Sequence, residues 1–227
     1  MSVILSIETA TTVCSIALHR EGKLLAEQTL YMEQSHSGLL APSIKSLISY
    51  CSLTMSDLDA VAISKGPGSY TGLRIGVSTA KGICDAINRP LIAINTLEAM
   101  AYGVSKYVNS ENNLLCPMID ARRMEVYYLL IDANQKIIKP TEPLIVDENS
   151  FSKELKDFNI TFFGNGSDKC KPVIQNPNAN FIDNIKPSAA LVGFLATRSY
   201  EKKEFEDVAY FDPFYLKDFR VTKPKSK

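Results

Sequence analysis

The chain has 227 residues, enough for one large domain or two small ones, and 45% of them are hydrophobic, as a real core requires. Lys plus Arg (25) balance Asp plus Glu (25), which argues against a free-standing nucleic-acid binder. The 5 cysteines are scattered with no CxxC pair, which excludes a disulfide framework or zinc site and points to a reducing cytoplasm.

Met1-Ser-Val-Ile-Leu-Ser-Ile-Glu8 has no basic region and meets an acid too soon for a signal peptide. No apolar run approaches membrane-spanning length, so no membrane contact is expected. The same segment reads as a strand over residues 2–8. A second strand covers 13–19, a turn at Arg20-Glu-Gly22 follows, and an alternating strand covers 23–31. Leu40, Ile44, Leu47, Ile48 and Cys51 recur at helical steps and predict a helix over about 38–51, with Pro42 in its first turn. Residues 59–64 are a fourth strand, 70–87 a helix and 91–94 a fifth strand, after which Thr96 caps a helix over 97–107. The second half repeats the opening: strands at 114–120, 124–132 and 136–146, a helix at 149–157, a strand at 160–163 and a helix at 187–201. A turn residue lies 14 positions after an acid in both halves, Gly22 after Glu8 and Asn134 after Asp120. The order βββαβα thus occurs twice, as a duplicated α/β fold of two lobes with a cleft between them. Lobe one spans 1–105 and lobe two 106–227; the C-terminal segment can return to lobe one, and the tail 221–227, with its cluster Lys223-Pro-Lys225-Ser-Lys227, reads as flexible.

The segment Gly66-Pro-Gly-Ser-Tyr-Thr-Gly-Leu-Arg-Ile-Gly76 is the most informative in the chain. A Gly-rich strand-to-helix turn is a common phosphate cradle. Here it lacks the lysine and the hydroxyl of a P-loop, and Ser69 after Gly68 is not a nucleophile elbow. The two histidines, His19 and His36, stand 17 residues apart on different elements, which leaves no metal pair, and His19 reads as a surface residue. In Glu8-Thr-Ala-Thr11 the acid and hydroxyls could serve a metal and phosphate, or the threonines could cap an exposed hairpin. Asp120-Ala-Arg122-Arg123 could grip phosphate, or its arginines could pair with Asp120 and Glu125. Gly164-Asn-Gly166 is a second glycine turn at the matching place in lobe two. On the helix over 70–87, Gly72, Gly76 and Ala80 form a small-residue strip beside the ladder Leu73, Val77, Ala80, Cys84. Each interior glycine costs about 1 kcal/mol against alanine, so close approach by another helix is expected on that strip, from the preceding helix, a partner chain or both, while the ladder alone would fit packing on the chain's own sheet. Of Leu39 and Leu40 one is expected to face outward, and Arg74 is either an anion or acid ligand or a surface charge.

Taken together, Ile4-Leu-Ser-Ile-Glu-Thr-Ala10, Cys14-Ser-Ile-Ala-Leu18, His36-Ser37, Leu39-Leu40, Lys65 to Gly76, Thr79-Ala-Lys-Gly82, Asp120 to Tyr127 and Pro213-Phe-Tyr-Leu216 closely resemble the TsaB (YeaZ) family of bacterial tRNA threonylcarbamoyladenosine biosynthesis subunits. The likeness is densest over residues 3–100 and thin from about 130 to 205. It implies a two-lobed actin-like/Hsp70-like ATPase (ASKHA) fold and a non-catalytic role. The partner it implies is TsaD, which carries a metal-binding histidine motif absent here and transfers the threonylcarbamoyl group to N6 of adenosine 37 in tRNAs reading codons that begin with A. It further implies the ATPase TsaE as a third component, contact with tRNA only through the complex, and no cofactor or metal of its own, with ATP or ADP held only in the complex. The implied interface lies on the first two helices of lobe one, and the same helices would make a homodimer of the isolated chain. On this sequence that face comprises His36, Leu39, Leu40, Ser43, Leu47, Tyr70, Leu73, Arg74, Gly76, Val77 and Ala80. A vestigial cleft comprises Glu8, Thr9, Thr11, Gly66, Gly68, Ser69, Asp120, Arg122, Gly164 and Gly166, with Glu8 where the family more often has Asp. The competing expectations are a small-molecule kinase of the same fold and a peptidase-like enzyme.

Overall fold

The computed structural model describes residues 2–31, 36–108 and 112–217. The tail 221–227 and the side chain of His36 lie outside the described residues. Two five-stranded sheets share one topology. In the first, strands β1 (Val3–Glu8), β2 (Val13–Arg20) and β3 (Lys23–Tyr31) run antiparallel, and β4 (Ala60–Gly66) and β5 (Leu91–Asn95) continue parallel to β1, in the order β3-β2-β1-β4-β5. In the second, β6 (Asn113–Asp120), β7 (Glu125–Asp132) and β8 (Ile137–Ile145) repeat the meander, and β9 (Asn159–Phe163) and β10 (Ala179–Ile182) repeat the parallel pair, in the order β10-β9-β6-β7-β8. This is the duplicated, two-lobed α/β architecture of the ASKHA fold.

The strands at the centre of each sheet are covered on both faces, which is why they read as nearly unbroken apolar runs. In β1, Val3, Leu5 and Ile7 meet α1 (Leu40–Tyr50) and α2 (Tyr70–Ile87) on the outside, whereas Ile4 faces α5 (Ala189–Glu201). Helix α3 (Thr96–Ser105) covers the inner face of the second sheet with Leu97, Met100 and Val104 against Leu115, Ile119 and Phe163. The last helix of each half therefore packs on the sheet of the other half or between the two. Beyond α5 the chain pairs Glu206 with Leu91 at the edge of the first sheet and buries Phe211 in the α1–α2 core. No described helix is long and apolar enough to cross a membrane.

Four local expectations need correction. Asn95, not Thr96, caps α3: its Oδ1 accepts from the Leu97 and Glu98 amides at 2.9 and 3.4 Å, and the Thr96 hydroxyl bonds Ser64 instead. The helix over 149–157 contracts to α4 (Glu154–Asp157) after a series of turns. Strand β10 was not expected, since its four residues sit in a polar stretch. His19 is fully buried rather than at the surface, because α5 lies across β2 with Gly193 against its ring.

The glycine strip on α2 also faces inward. A Cβ at Gly72 would collide with the Thr9 carbonyl, and one at Gly76 would overlap Thr9 Oγ1 and come within 3.0 Å of Ile63. The neighbour these glycines admit is thus the chain's own β1–β2 turn. Gly82 differs: it is exposed, and a Cβ there would meet nothing within 4 Å. Gly76→Ala is expected to lower stability by about 1–3 kcal/mol through overpacking against Thr9. Gly82→Ala is expected to raise it by up to about 1 kcal/mol through helix propensity. Urea unfolding of the two variants checks this; equal midpoints would contradict the assigned faces.

Candidate functional site

The glycine turn sits at the end of β4. Gly66 takes a φ of 111°, open to glycine and strained for other residues. Ser69 then caps α2, its Oγ accepting from the Gly72 amide at 3.3 Å. The space such a turn offers to a phosphate is occupied by residues 9 and 10 of the same chain. The Ser69 amide donates to the Ala10 carbonyl at 2.6 Å, Gly68 packs flat on that carbonyl, and Thr9 Oγ1 donates to the Gly72 carbonyl at 2.8 Å. Thr11 Oγ1 accepts from the Val13 amide at 3.2 Å. The threonine turn is therefore a cap, but a buried one rather than an exposed hairpin, with Thr9 and Thr11 both inside.

Glu8 ends β1 directly beneath this contact and is fully buried. Burial raises its pKa from 4.5 to about 7, against the pull of hydrogen bonds from Ser64 and from the Ala10 amide at 2.5 Å. Its Oε2 has no hydrogen-bond partner among the described residues. A carboxyl sealed in this way is a poor metal ligand, because it is half protonated near neutrality and closed off from the cleft.

The equivalent acid of lobe two, Asp120, ends β6 in a different state. The Lys169 ammonium ion-pairs with its carboxylate and also donates to the carbonyls of Arg123 (2.7 Å) and Glu125 (2.6 Å). Three oxygens thus surround a tethered cation at the place where a metal would meet the acid. The Asp120 carboxylate also accepts from the Arg122 amide at 2.9 Å, and its own amide donates to Asn165 Oδ1 at 3.1 Å. Gly164 and Gly166 press against the backbone of Met118 and Ile119, as Gly68 and Gly72 press on lobe one's turn. The expected pairing of Arg122 and Arg123 with Asp120 and Glu125 does not occur. Lysines take both acids, Lys169 and Lys217, and the two arginines are exposed on left-handed backbone (φ 71° and 49°).

The residues expected on the partner face divide. Leu40, Leu47, Leu73, Gly76, Val77 and Ala80 are buried in the chain's own core, because the ladder that looked available is the one that packs on β1 and β4. Leu39 is 41% exposed beside buried Leu40, Ser43 and Tyr70 are half-buried, and Arg74 is exposed. A second small-residue strip escaped the sequence reading: Ser78, Gly82 and Ala86, four apart and all exposed on α2. The spacing was visible, but its direction depends on how α2 sits on the sheet. Among the described side chains no nucleophile pair forms with Ser69, since its hydroxyl serves as a cap and His19 lies under α5 with neither ring nitrogen bonded.

Glu8 makes a testable contribution to stability. Its carboxyl holds a proton up to about pH 7 in the fold but only to about 4.5 when unfolded. Between these values the folded state binds more protons, so this group's contribution falls as pH rises through that window and is level above it. The loss is on the order of 3 kcal/mol. Glu8→Gln should flatten the slope of unfolding free energy between pH 4.5 and 8, measured by urea titration; identical slopes would show that the proton is held elsewhere.

A family model described as TsaD: tRNA N6-adenosine threonylcarbamoyltransferase matches residues 23–224. The tRNA threonylcarbamoyladenosine biosynthesis protein TsaB of Bacillus subtilis is 31% identical, over 94% of this chain and 93% of its own. The Escherichia coli protein of the same name is 36% identical over 125 residues, 55% of this chain and 53% of its own. Among solved structures, YeaZ from Pseudomonas aeruginosa superposes with a TM-score of 0.79 at 25% identity, covering 95% of this chain and 100% of that one. A structure described as an uncharacterized protein with similarity to peptidase YEAZ from Pseudomonas aeruginosa gives a TM-score of 0.84 at 25% identity, over 96% of this chain and 100% of that one. The chain belongs to the TsaB (YeaZ) family, within the wider family that the TsaD model describes.

Proposed function

We propose that this chain is a non-catalytic subunit of the assembly that makes N6-threonylcarbamoyladenosine at position 37 of tRNAs reading codons that begin with A. In this reading it binds and supports the catalytic subunit TsaD, with TsaE as a further component, and it meets tRNA only through the complex. The observation that carries the reading is the filled glycine turn. The Ser69 amide, which would face a phosphate, donates to the Ala10 carbonyl of the same chain, the Gly72 amide donates to Ser69 Oγ, and the Thr9 hydroxyl is tied to the Gly72 carbonyl. The sealed Glu8 and the Lys169 ammonium against Asp120 support it, since both lobes then lack a free acid at the equivalent strand end. In this reading ATP or ADP is held only in the complex and not by this chain alone, and the work is done in the cytoplasm.

The docking face is the outward side of α1 and α2. It carries Leu39, Ser43, Tyr70 and Arg74 together with the open strip Ser78, Gly82 and Ala86. Small residues let a partner's backbone come close, and an exposed helix glycine with nothing over it is otherwise an unrewarded loss of helix stability. The isolated chain pairs with itself through the same face and exchanges that copy for TsaD.

A reconstituted threonylcarbamoylation assay with TsaD, TsaE and the enzyme that supplies the threonylcarbamoyl-adenylate tests the role. Product is expected to require this chain, and the chain alone should turn over no ATP; turnover by the purified chain would favour the kinase reading instead. Gly82→Leu is expected to fold with an unchanged or higher melting temperature, to lose co-elution with TsaD and to cut product formation at least tenfold. Full co-elution of that variant would remove α2 from the interface.

A further inference from the structure

We infer that the docking face has a second wall, built by the C-terminal segment, and that the pocket between this wall and α2 receives an acidic side chain of the bound partner protein. The inference rests on the reading that the outward side of α2 meets TsaD.

After pairing with the edge of the first sheet the C-terminal segment crosses α2. Lys81 holds it there: its ammonium donates to the carbonyls of Ala209 (3.1 Å) and Phe211 (2.9 Å). Phe211 is buried in the α1–α2 core, and the Phe214 amide donates to the Lys65 carbonyl at 2.7 Å, next to the glycine turn. The Pro213-Phe-Tyr-Leu216 motif is thereby fixed beside the first turns of α2. A pocket of about 250 Å³ remains between the two, lined by Tyr70, Arg74, Ser78 and Lys81 on α2 and by Asp212 and Tyr215 on the segment. Ser78 also belongs to the exposed strip with Gly82 and Ala86, so the pocket is continuous with the proposed docking face.

Arg74 is the group that selects the ligand. Its guanidinium lies 5.3 Å from the centre of the Tyr70 ring, and its Nη1 donates to the Tyr70 hydroxyl at 3.2 Å. Tyr70 in turn packs on Tyr215 with ring centres 4.9 Å apart. The arginine is thus pre-arranged, yet it makes no ion pair among the described residues. A guanidinium has five N–H donors in a rigid fork that matches a carboxylate, and one is in use here. Among the described residues that line the pocket the charges are Arg74 and Lys81 against Asp212, a net single positive charge. That balance suits one carboxylate; Asp212 would repel a multiply charged phosphate more strongly. Tyrosine and arginine around a partly enclosed pocket are also the composition of protein interface hot spots.

The test is titration calorimetry of purified TsaD with the wild-type chain and with Arg74→Ala, Arg74→Lys and Gly82→Leu, each first checked for an unchanged melting temperature. Arg74→Ala is expected to weaken binding about thirtyfold, and Arg74→Lys to recover only part of the loss. Alanine replacement of surface Asp and Glu residues of TsaD should reveal one whose loss costs nothing further once Arg74 is gone. If Gly82→Leu abolishes binding while Arg74→Ala stays within twofold of wild type, the docking face stands and the pocket inference is overturned. If neither variant changes the affinity, the docking face itself is wrong. Non-additive coupling to no acidic residue of TsaD, or binding of inorganic phosphate to the isolated chain that disappears in Arg74→Ala, would also overturn the inference.

Discussion

The Ser69 amide and the Ala10 carbonyl, 2.6 Å apart, join the two segments on which the first lobe is built. The bond forms only because Gly68 and Gly72 present no side chain to the carbonyls of Ala10 and Thr9, and because Gly76 leaves room for the Thr9 hydroxyl. It draws the start of α2 down onto the end of β1 and so sets the rotation of the whole helix. With 3.6 residues per turn, seating Gly72 and Gly76 on Thr9 places Leu73, Val77, Ala80 and Cys84 against the sheet. It leaves Arg74, Ser78, Gly82 and Ala86 in solvent. One backbone contact therefore does two things: it fills the space where phosphate would lie, and it decides which residues of α2 another protein can reach.

The two lobes treat equivalent acids by opposite means. Glu8 is enclosed and burial raises its pKa to about 7, so near neutrality a proton removes about half of its charge and burial shuts off the rest from the cleft. Asp120 remains at the surface and its charge is matched by Lys169, whose ammonium also draws in the carbonyls of Arg123 and Glu125. The lysine has a structural task there. Arg122 and Arg123 both lie in the left-handed region, which costs about 1 kcal/mol or more for each non-glycine residue, and the lysine bonds the Arg123 carbonyl within that turn and the Glu125 carbonyl just beyond it. A proton in one lobe and an ammonium in the other leave neither strand end with an open negative site.

Much of this architecture was readable in residue order, and the failures share a cause. The helix over 70–87 is legible to the residue because the glycine turn before it and its apolar ladder are local features; the fold adds the Ser69 cap and the left-handed end at Asn88. The hairpins were equally local, with Glu21 and Gly22 supplying the positive φ of the first turn. What was misjudged depends on distant partners. Gly72 and Gly76 could serve any close neighbour, and only the fold brings Thr9, more than sixty residues away, against them. His19 looks exposed until α5 arrives from the other end of the chain. Lys169 lies 49 residues from Asp120 with no pattern linking them. Asn95 and Thr96 are both good caps, and one position separates them.

The same long-range helix explains how the lobes are held. Gly193 lets α5 settle directly over His19, whose ring meets Phe194 edge-on at 4.8 Å and, with its pKa lowered to about 4 by burial, stays neutral at physiological pH. Around it α3 and α5 share a cluster in which Lys106 lies over Tyr102 and Phe194, and Arg198 also lies over Tyr102. Side chains tie the halves further: Asn95 Nδ2 donates to Thr141 at 2.9 Å, and the Ala189 amide, at the start of α5, donates to Ser15 at 3.0 Å. A hinge that opened and closed around a nucleotide would have to break these contacts in each cycle. With its glycine turn filled and its sheets bound to each other through α3 and α5, the chain is built to hold one outer surface in a fixed shape. A supporting subunit, the role proposed for this chain, needs such a surface, whereas a nucleotide-driven cleft does not.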